Sequence, residues 1–184
     1  MENVKPSASK VAFKWAIINF IASVVITYAF QFLNVDQTSS VKYLSFIPFI
    51  AFLFLTQKEY RDQLGGFISF GEGFVSGLLF SVFTGILGAI FIYIYYQYLS
   101  PQVYEQILSS TQAQLQAKGS LSADQIDKAM SVSRKYGPLF AAIGAVIFSP
   151  IIGAIIALIG AAIFKKERSL LDIESTESYS DPAV

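Results

Sequence analysis

The sequence predicts an all-α, polytopic membrane protein with four transmembrane helices and an extracytoplasmic helical hairpin between the third and the fourth. Three observations carry that expectation. Hydrophobic residues make up 54% of the chain and charged residues 14%, whereas a soluble domain is about 25% charged; mean hydropathy is +0.54. The apolar residues are gathered into runs long enough to cross about 30 Å of hydrocarbon, which takes ~20 helical residues. In the two longest runs, small residues recur at every fourth position, the spacing that lets helices approach closely in lipid.

Residues 1–10 form a polar leader with Lys5 and Lys10. The first span is expected over residues 11–33. It is longer than the apolar core of a signal peptide, contains Lys14 and precedes no A-x-A-like site. It therefore reads as an uncleaved anchor, with Lys14 snorkelling to the headgroups. Asn19, Ser23, Thr27 and Gln31 fall on every fourth position and form a polar stripe. The plainer reading of the stripe is hydrogen bonding between helices; the alternative is a water- or solute-lined path. The second span, residues 41–56, is short and aromatic, with Lys42 at its outer end. Pro48 lies mid-span in this reading, and its missing backbone donor predicts a kink. The QKEYRDQ stretch extends the same helix, and Gly65-Gly66 stops it, because glycine accepts the left-handed conformation of a helix C-terminus. Phe67, Ile68 and Phe70 are expected in the interface.

The third span, residues 70–98, opens on Ser69-Phe70-Gly71-Glu72, which fits the S-x-x-E capping box. Glu72 also sets negative charge at the positive end of the helix dipole. Gly73, Gly77, Ser81, Gly85 and Ala89 make a ridge without bulk, and Tyr93, Tyr95, Tyr96 and Tyr98 form a belt at the far end. Residues 100–137 read as the hairpin: Ser100-Pro101 starts one helix, Gly119 interrupts, and Ser122 to Gln125 is a second capping box. Gly137-Pro138 is expected to end the hairpin and open the fourth span, residues 138–164. That span carries a second smooth face, Ala141, Ala145, Ser149, Gly153, Ala157 and Ala161, with a kink expected at Pro150. Lys165, Lys166 and Arg168 close a single membrane domain over residues 1–168. Residues 169–184, with Asp172, Glu174, Glu177 and Asp181, read as a disordered acidic tail. Basic residues beside the spans favour the side that holds both termini, so the positive-inside rule puts both in the cytoplasm. Arg134 and Lys135 are the dissenting pair.

The elements KEYRD, GGFISFGEGF, SADQIDKAM and the final KK, set among the spans, resemble domain-of-unknown-function family 4199, an uncharacterised family of bacterial membrane proteins. The likeness covers roughly residues 5–168. It implies a four-span protein of the bacterial inner membrane, and it implies no activity, substrate or cofactor.

The composition narrows the chemistry. The chain has no cysteine and no histidine, which excludes disulfides, thiol chemistry, Cys/His metal sites and histidine acid–base catalysis. Its formal net charge is zero, so no basic surface points to nucleic acid. Glu72 is the only acidic residue close to a span. An ionisable group in a membrane is a functional candidate by default, yet capping accounts for this one; proton or cation coupling is the alternative. GGFISFGEG lacks the G-K-[ST] ending of a phosphate loop, and the hairpin acids lack a Ca²⁺-loop pattern. No cofactor or metal is expected. The expected partners are the lipid bilayer, other membrane proteins or a second copy. The function these features favour is a non-catalytic membrane subunit or scaffold. A small transporter or channel component is the alternative, with Ser149-Pro150 as a break that can mark a binding site; an intramembrane enzyme comes third. The candidate residues are accordingly structural: Ser69, Glu72, Gly73, Gly77, Ser81, Gly85, Ser149, Pro150 and Gly153.

Overall fold

A computed structural model describes residues 6–33, 35, 43–44 and 46–167. Lys5, the 36–40 stretch of the first loop, Lys42, Arg168 and the acidic tail lie outside the described residues. Among the described residues five α-helices follow in order: α1 (Ala8–Phe32), α2 (Phe46–Gln63), α3 (Phe70–Ile94), α4 (Pro101–Lys118) and α5 (Ala123–Phe164), with α3 running on through a π-helical turn, Tyr95–Leu99. Among the described residues there is no strand beyond one isolated antiparallel bridge, Ile68 to Lys166. Among the described residues three helices are long and apolar enough to cross a membrane: α1, α3 with its π turn, and α5. α2 is apolar only up to Gln57, after which Lys58, Glu59, Arg61 and Asp62 follow.

The helices alternate in direction, and side-chain contacts at each end show it. At one end Val11, Tyr60 and Ile68 cluster with Leu64 and Phe164, which gathers the start of α1, the ends of α2 and α5, and the entry to α3. There Lys14 pairs with Glu59, whose other contacts are the Trp15 indole at 2.8 Å and the Gln63 amide at 2.9 Å. Lys14 thus has a carboxylate partner rather than headgroups alone. At the opposite end Gln31 of α1 meets Tyr95 and Ser100. Between the two ends Ala12 and Ala16 of α1, Leu53 of α2, Phe80 of α3 and Ala157 of α5 form the buried centre.

Local chemistry explains where the elements stop. Gly65 and Gly66 have φ of 80° and 86°. The Gly66 N–H donates to the Arg61 carbonyl at 3.0 Å and the Gly65 N–H to Asp62 at 3.1 Å, the paired bonds of a Schellman motif. Both capping boxes are complete, Ser69 with Glu72 and Ser122 with Gln125.

Several expectations need correction. Pro48 falls in the first turn of α2, which begins at Phe46. Backbone donors of a first turn have no helical partner, so proline there costs no hydrogen bond and needs no kink. Ser100 precedes α4 but makes no capping bond; its hydroxyl is turned to Gln31, at 3.2 Å. Ile68 is 2% exposed, because its backbone pairs with Lys166 at 2.9 and 3.0 Å and draws it under the bundle.

The largest correction concerns Gly137-Pro138. The hairpin's second helix and the expected fourth span are one continuous helix, α5, of 42 residues, with Pro138 and Pro150 both inside it. A proline in a helix interior loses one backbone bond and crowds the preceding turn, at about 3 kcal/mol. Here α4 supports that turn. The Tyr104 hydroxyl lies over Gly137, where any Cβ would overlap it, and donates to the Ser133 carbonyl at 2.8 Å. Leu108, Ile126 and Met130 pack beside it with Tyr104 and Leu115. At 1.5 Å per residue α5 is about 63 Å long, twice the hydrocarbon thickness, so its first half stands clear of any bilayer that its second half crosses.

Candidate membrane-embedded site

The ridge on α3 and the smooth face of α5 meet along one seam. A Cβ on Gly73 would lie 3.3 Å from Ala161, one on Gly77 2.8 Å from the Ala157 Cβ, and one on Gly85 3.1 Å from the Ser149 Cβ and from the Ala145 carbonyl. At Gly153 a Cβ would overlap the Ser81 side chain. The pairs step four residues up α3 as they step four down α5, so the helices are antiparallel and in register. Hydroxyls on the seam are satisfied without water, as an apolar surround requires: Ser76 donates to Gly73 at 2.8 Å, Ser81 to Gly77 at 2.9 Å and Ser149 across the seam to the Ser81 carbonyl at 2.9 Å. Pro150 leaves α5 unbroken, so no unwound backbone marks a binding site there.

At the α3 entry, Ser69 and Glu72 serve the helix end. The Glu72 carboxylate accepts from the Ser69 N–H at 3.0 Å and from its hydroxyl at 2.9 Å, while the Ser69 Oγ accepts from the Glu72 N–H at 3.3 Å. Leu64, Phe67, Lys166 and Glu167 line a shallow cleft beside them.

Of the buried polar residues that the sequence reading did not single out, Gln57 joins the most helices. Gln57 has no exposed surface. Its Nε2 donates to the Gly73 carbonyl at 3.0 Å and to the Ala157 carbonyl at 2.8 Å, tying α2 to both faces of the seam. Gly77 and Gly160 leave the slot that it fills: a Cβ on Gly77 would lie 2.9 Å from Nε2, and one on Gly160 would overlap Oε1. The Oε1 itself has no hydrogen-bond partner. In QKEYRDQ the residue reads as one of a solvated polar run. Its signal was position: it falls one turn after Leu53, on the apolar side of the helix.

The α1 stripe divides. Thr27 donates to its own helix, to the Ser23 carbonyl at 2.8 Å. Gln31 bridges between helices: its Oε1 accepts from Tyr95 at 3.1 Å and its Nε2 donates to Ser100 at 3.1 Å. Asn19, Ser23 and Thr27 border a cavity of about 400 Å³ between α1, the start of α2, α3 and α5. Asn19 is 3% exposed, and its Oδ1 has no hydrogen-bond partner. On the hairpin, Glu105 of α4 makes a two-pronged ion pair with Arg134 in the first half of α5, at 2.9 to 3.3 Å. Those hydrogen bonds hold the Glu105 carboxyl below the ordinary carboxylate range, and burial raises the Tyr104 phenol. Among the described residues no group of acidic side chains could hold a metal ion.

This arrangement, apolar helices joined by small residues and neutral hydrogen bonds, defines a helical membrane protein. Residues 14–166 match the family described as protein of unknown function (DUF4199), and the chain belongs to that family. No curated protein and no solved structure matches it.

Proposed function

We propose that the protein is a four-span, non-catalytic subunit or scaffold of the bacterial inner membrane that associates with other membrane proteins, both of its termini being cytoplasmic. Alternation of helix direction supports α2 as the fourth crossing, since the start of α1 and the end of α5 lie at one end of the bundle. The observation that carries association is the outer face of α5. Ile147, Ile151, Ile155, Ile159 and Ile163 recur every fourth residue, each 52–63% exposed. They lie about 200° around the helix from the seam with α3, two residues at 100° each. Isoleucine has a stiff side chain, so a row of it loses little rotamer freedom against a partner helix, and association within lipid depends on such packing.

A photo-crosslinking residue at Ile151, with Ile90 on α3 as the comparison, tests this in native membranes. The expected result is a discrete adduct with another membrane protein from Ile151 only. Lipid adducts alone from both positions would overturn association, and a self-adduct alone would replace the mixed assembly by a homo-oligomer. A small transporter or channel component remains the second reading, on the strength of the cavity beside Asn19.

A further inference from the structure

We propose that the cavity among α1, α2, α3 and α5 is a binding site for a neutral, ring-containing apolar molecule that carries a hydroxyl. Its volume of about 400 Å³ falls in the range of small-molecule sites, roughly 300–1,000 Å³. Phe20, Phe49, Phe91, Tyr95 and Phe148 supply aromatic walls, which pack best against another ring, offset or edge-on. Among the described residues no Asp, Glu, Lys or Arg lines it, so a charged ligand would enter without a counter-charge from them in a low-dielectric surround.

The polar contacts define the rest of the ligand. Asn19 Oδ1 and Thr84 Oγ1 are buried without partners, and both residues border the cavity. Buried polar atoms in native proteins are nearly always paired, so two orphans at one cavity point to a missing group. A hydroxyl donates to an amide oxygen and accepts from a threonine hydroxyl, and it serves Asn19 whichever way the amide is turned. Gly88 also borders the space, and a Cβ there would meet no atom within 4 Å. A larger side chain at Gly88 therefore starts toward the cavity with no clash at its Cβ.

The test uses the full chain in lipid nanodiscs, with β-naphthol as probe and naphthalene, naphthalene sulfonate and decanol beside it. β-Naphthol should bind saturably above empty discs, naphthalene about tenfold more weakly for want of the hydrogen bond, and the sulfonate not at all. Asn19→Leu should lower β-naphthol affinity to that of naphthalene. Gly88→Leu should abolish saturable binding with helix content and unfolding temperature unchanged. Binding no better than empty discs, as for a cavity that holds water only, would overturn the proposal. So would binding that survives Gly88→Leu, or decanol binding more tightly than β-naphthol.

Discussion

The Gln57 side chain sits where an apolar residue would be ordinary, one amide end bonded to two carbonyls and the other end facing Gly160. Both neighbours that make room are glycines, so the fit can be tested by adding a methyl. Gly160→Ala puts a Cβ onto Gln57 Oε1 and should destabilise by about 1–3 kcal/mol through overpacking. In a Gln57→Ala background the same change should cost much less, with a coupling of at least about 0.5 kcal/mol. Denaturant unfolding in detergent of the four variants measures it; an equal cost in both backgrounds would show that Gln57 is not what Gly160 accommodates. Residue-scale features differ in how well the sequence displays them. The Ser69 and Glu72 box is written in four consecutive residues, and its partners are local. Gln57 takes its meaning from two helices that begin later in the chain, and nothing within QKEYRDQ distinguishes it from its solvated neighbours.

At the scale of elements, the α3–α5 register makes the sharpest claim. A Cβ at Gly85 would stand 3.1 Å from the Ser149 Cβ, close to the ~3.8 Å of a disulfide, and the chain has no cysteine of its own. Gly85→Cys with Ser149→Cys should therefore oxidise within one chain, seen as a reducible mobility shift of the monomer; cross-links only between chains would make the α3 ridge an oligomer interface. Gly153→Leu, which would drive a side chain into Ser81, should separate the helices and unfold the protein at lower denaturant, whereas Gly71→Ala enters open space and should be tolerated. The four-residue spacing of small residues made both faces visible in advance. The continuity of α5 through Pro138 was not visible, because proline's local penalty is plain in any sequence while Tyr104, which supports that turn from α4, lies far away in the chain. The tie between α4 and α5 also has a pH sign. Glu105 is held below its ordinary range by Arg134, so its contribution is present above the unfolded carboxylate value and is lost as pH falls through the lower folded one. Amide protection of α4, taken relative to the intrinsic exchange rate at each pH, should fall below about pH 4, and Glu105→Gln should remove that dependence.

For the whole molecule, the parity of crossings follows from where the ends lie. The start of α1 and the end of α5 share one end of the bundle, with Val11, Tyr60, Ile68 and Phe164 packed together. An even number of crossings leaves both on one side of the membrane, and an odd number would separate them. α2 decides the parity, since its apolar part is the shortest of the bundle. On the proposed topology the charges bear on the side. Lys10, Lys14, Lys58, Arg61, Lys165 and Lys166 gather at the shared end, and Lys118, Lys128, Arg134 and Lys135 lie on the hairpin of α4 and the first half of α5. The first group is the larger, and the positive-inside rule then favours the shared end as cytoplasmic. Single cysteines at Ser9, Ser120 and Glu167, all exposed, report this directly against a membrane-impermeant thiol reagent on intact spheroplasts. Ser120→Cys should react at once, and Ser9→Cys and Glu167→Cys only after the membrane is opened. Reaction at one terminus and not the other would mean three crossings, with α2 held in the bundle without traversing it; reaction at both termini and not at Ser120→Cys would keep four crossings and reverse the orientation.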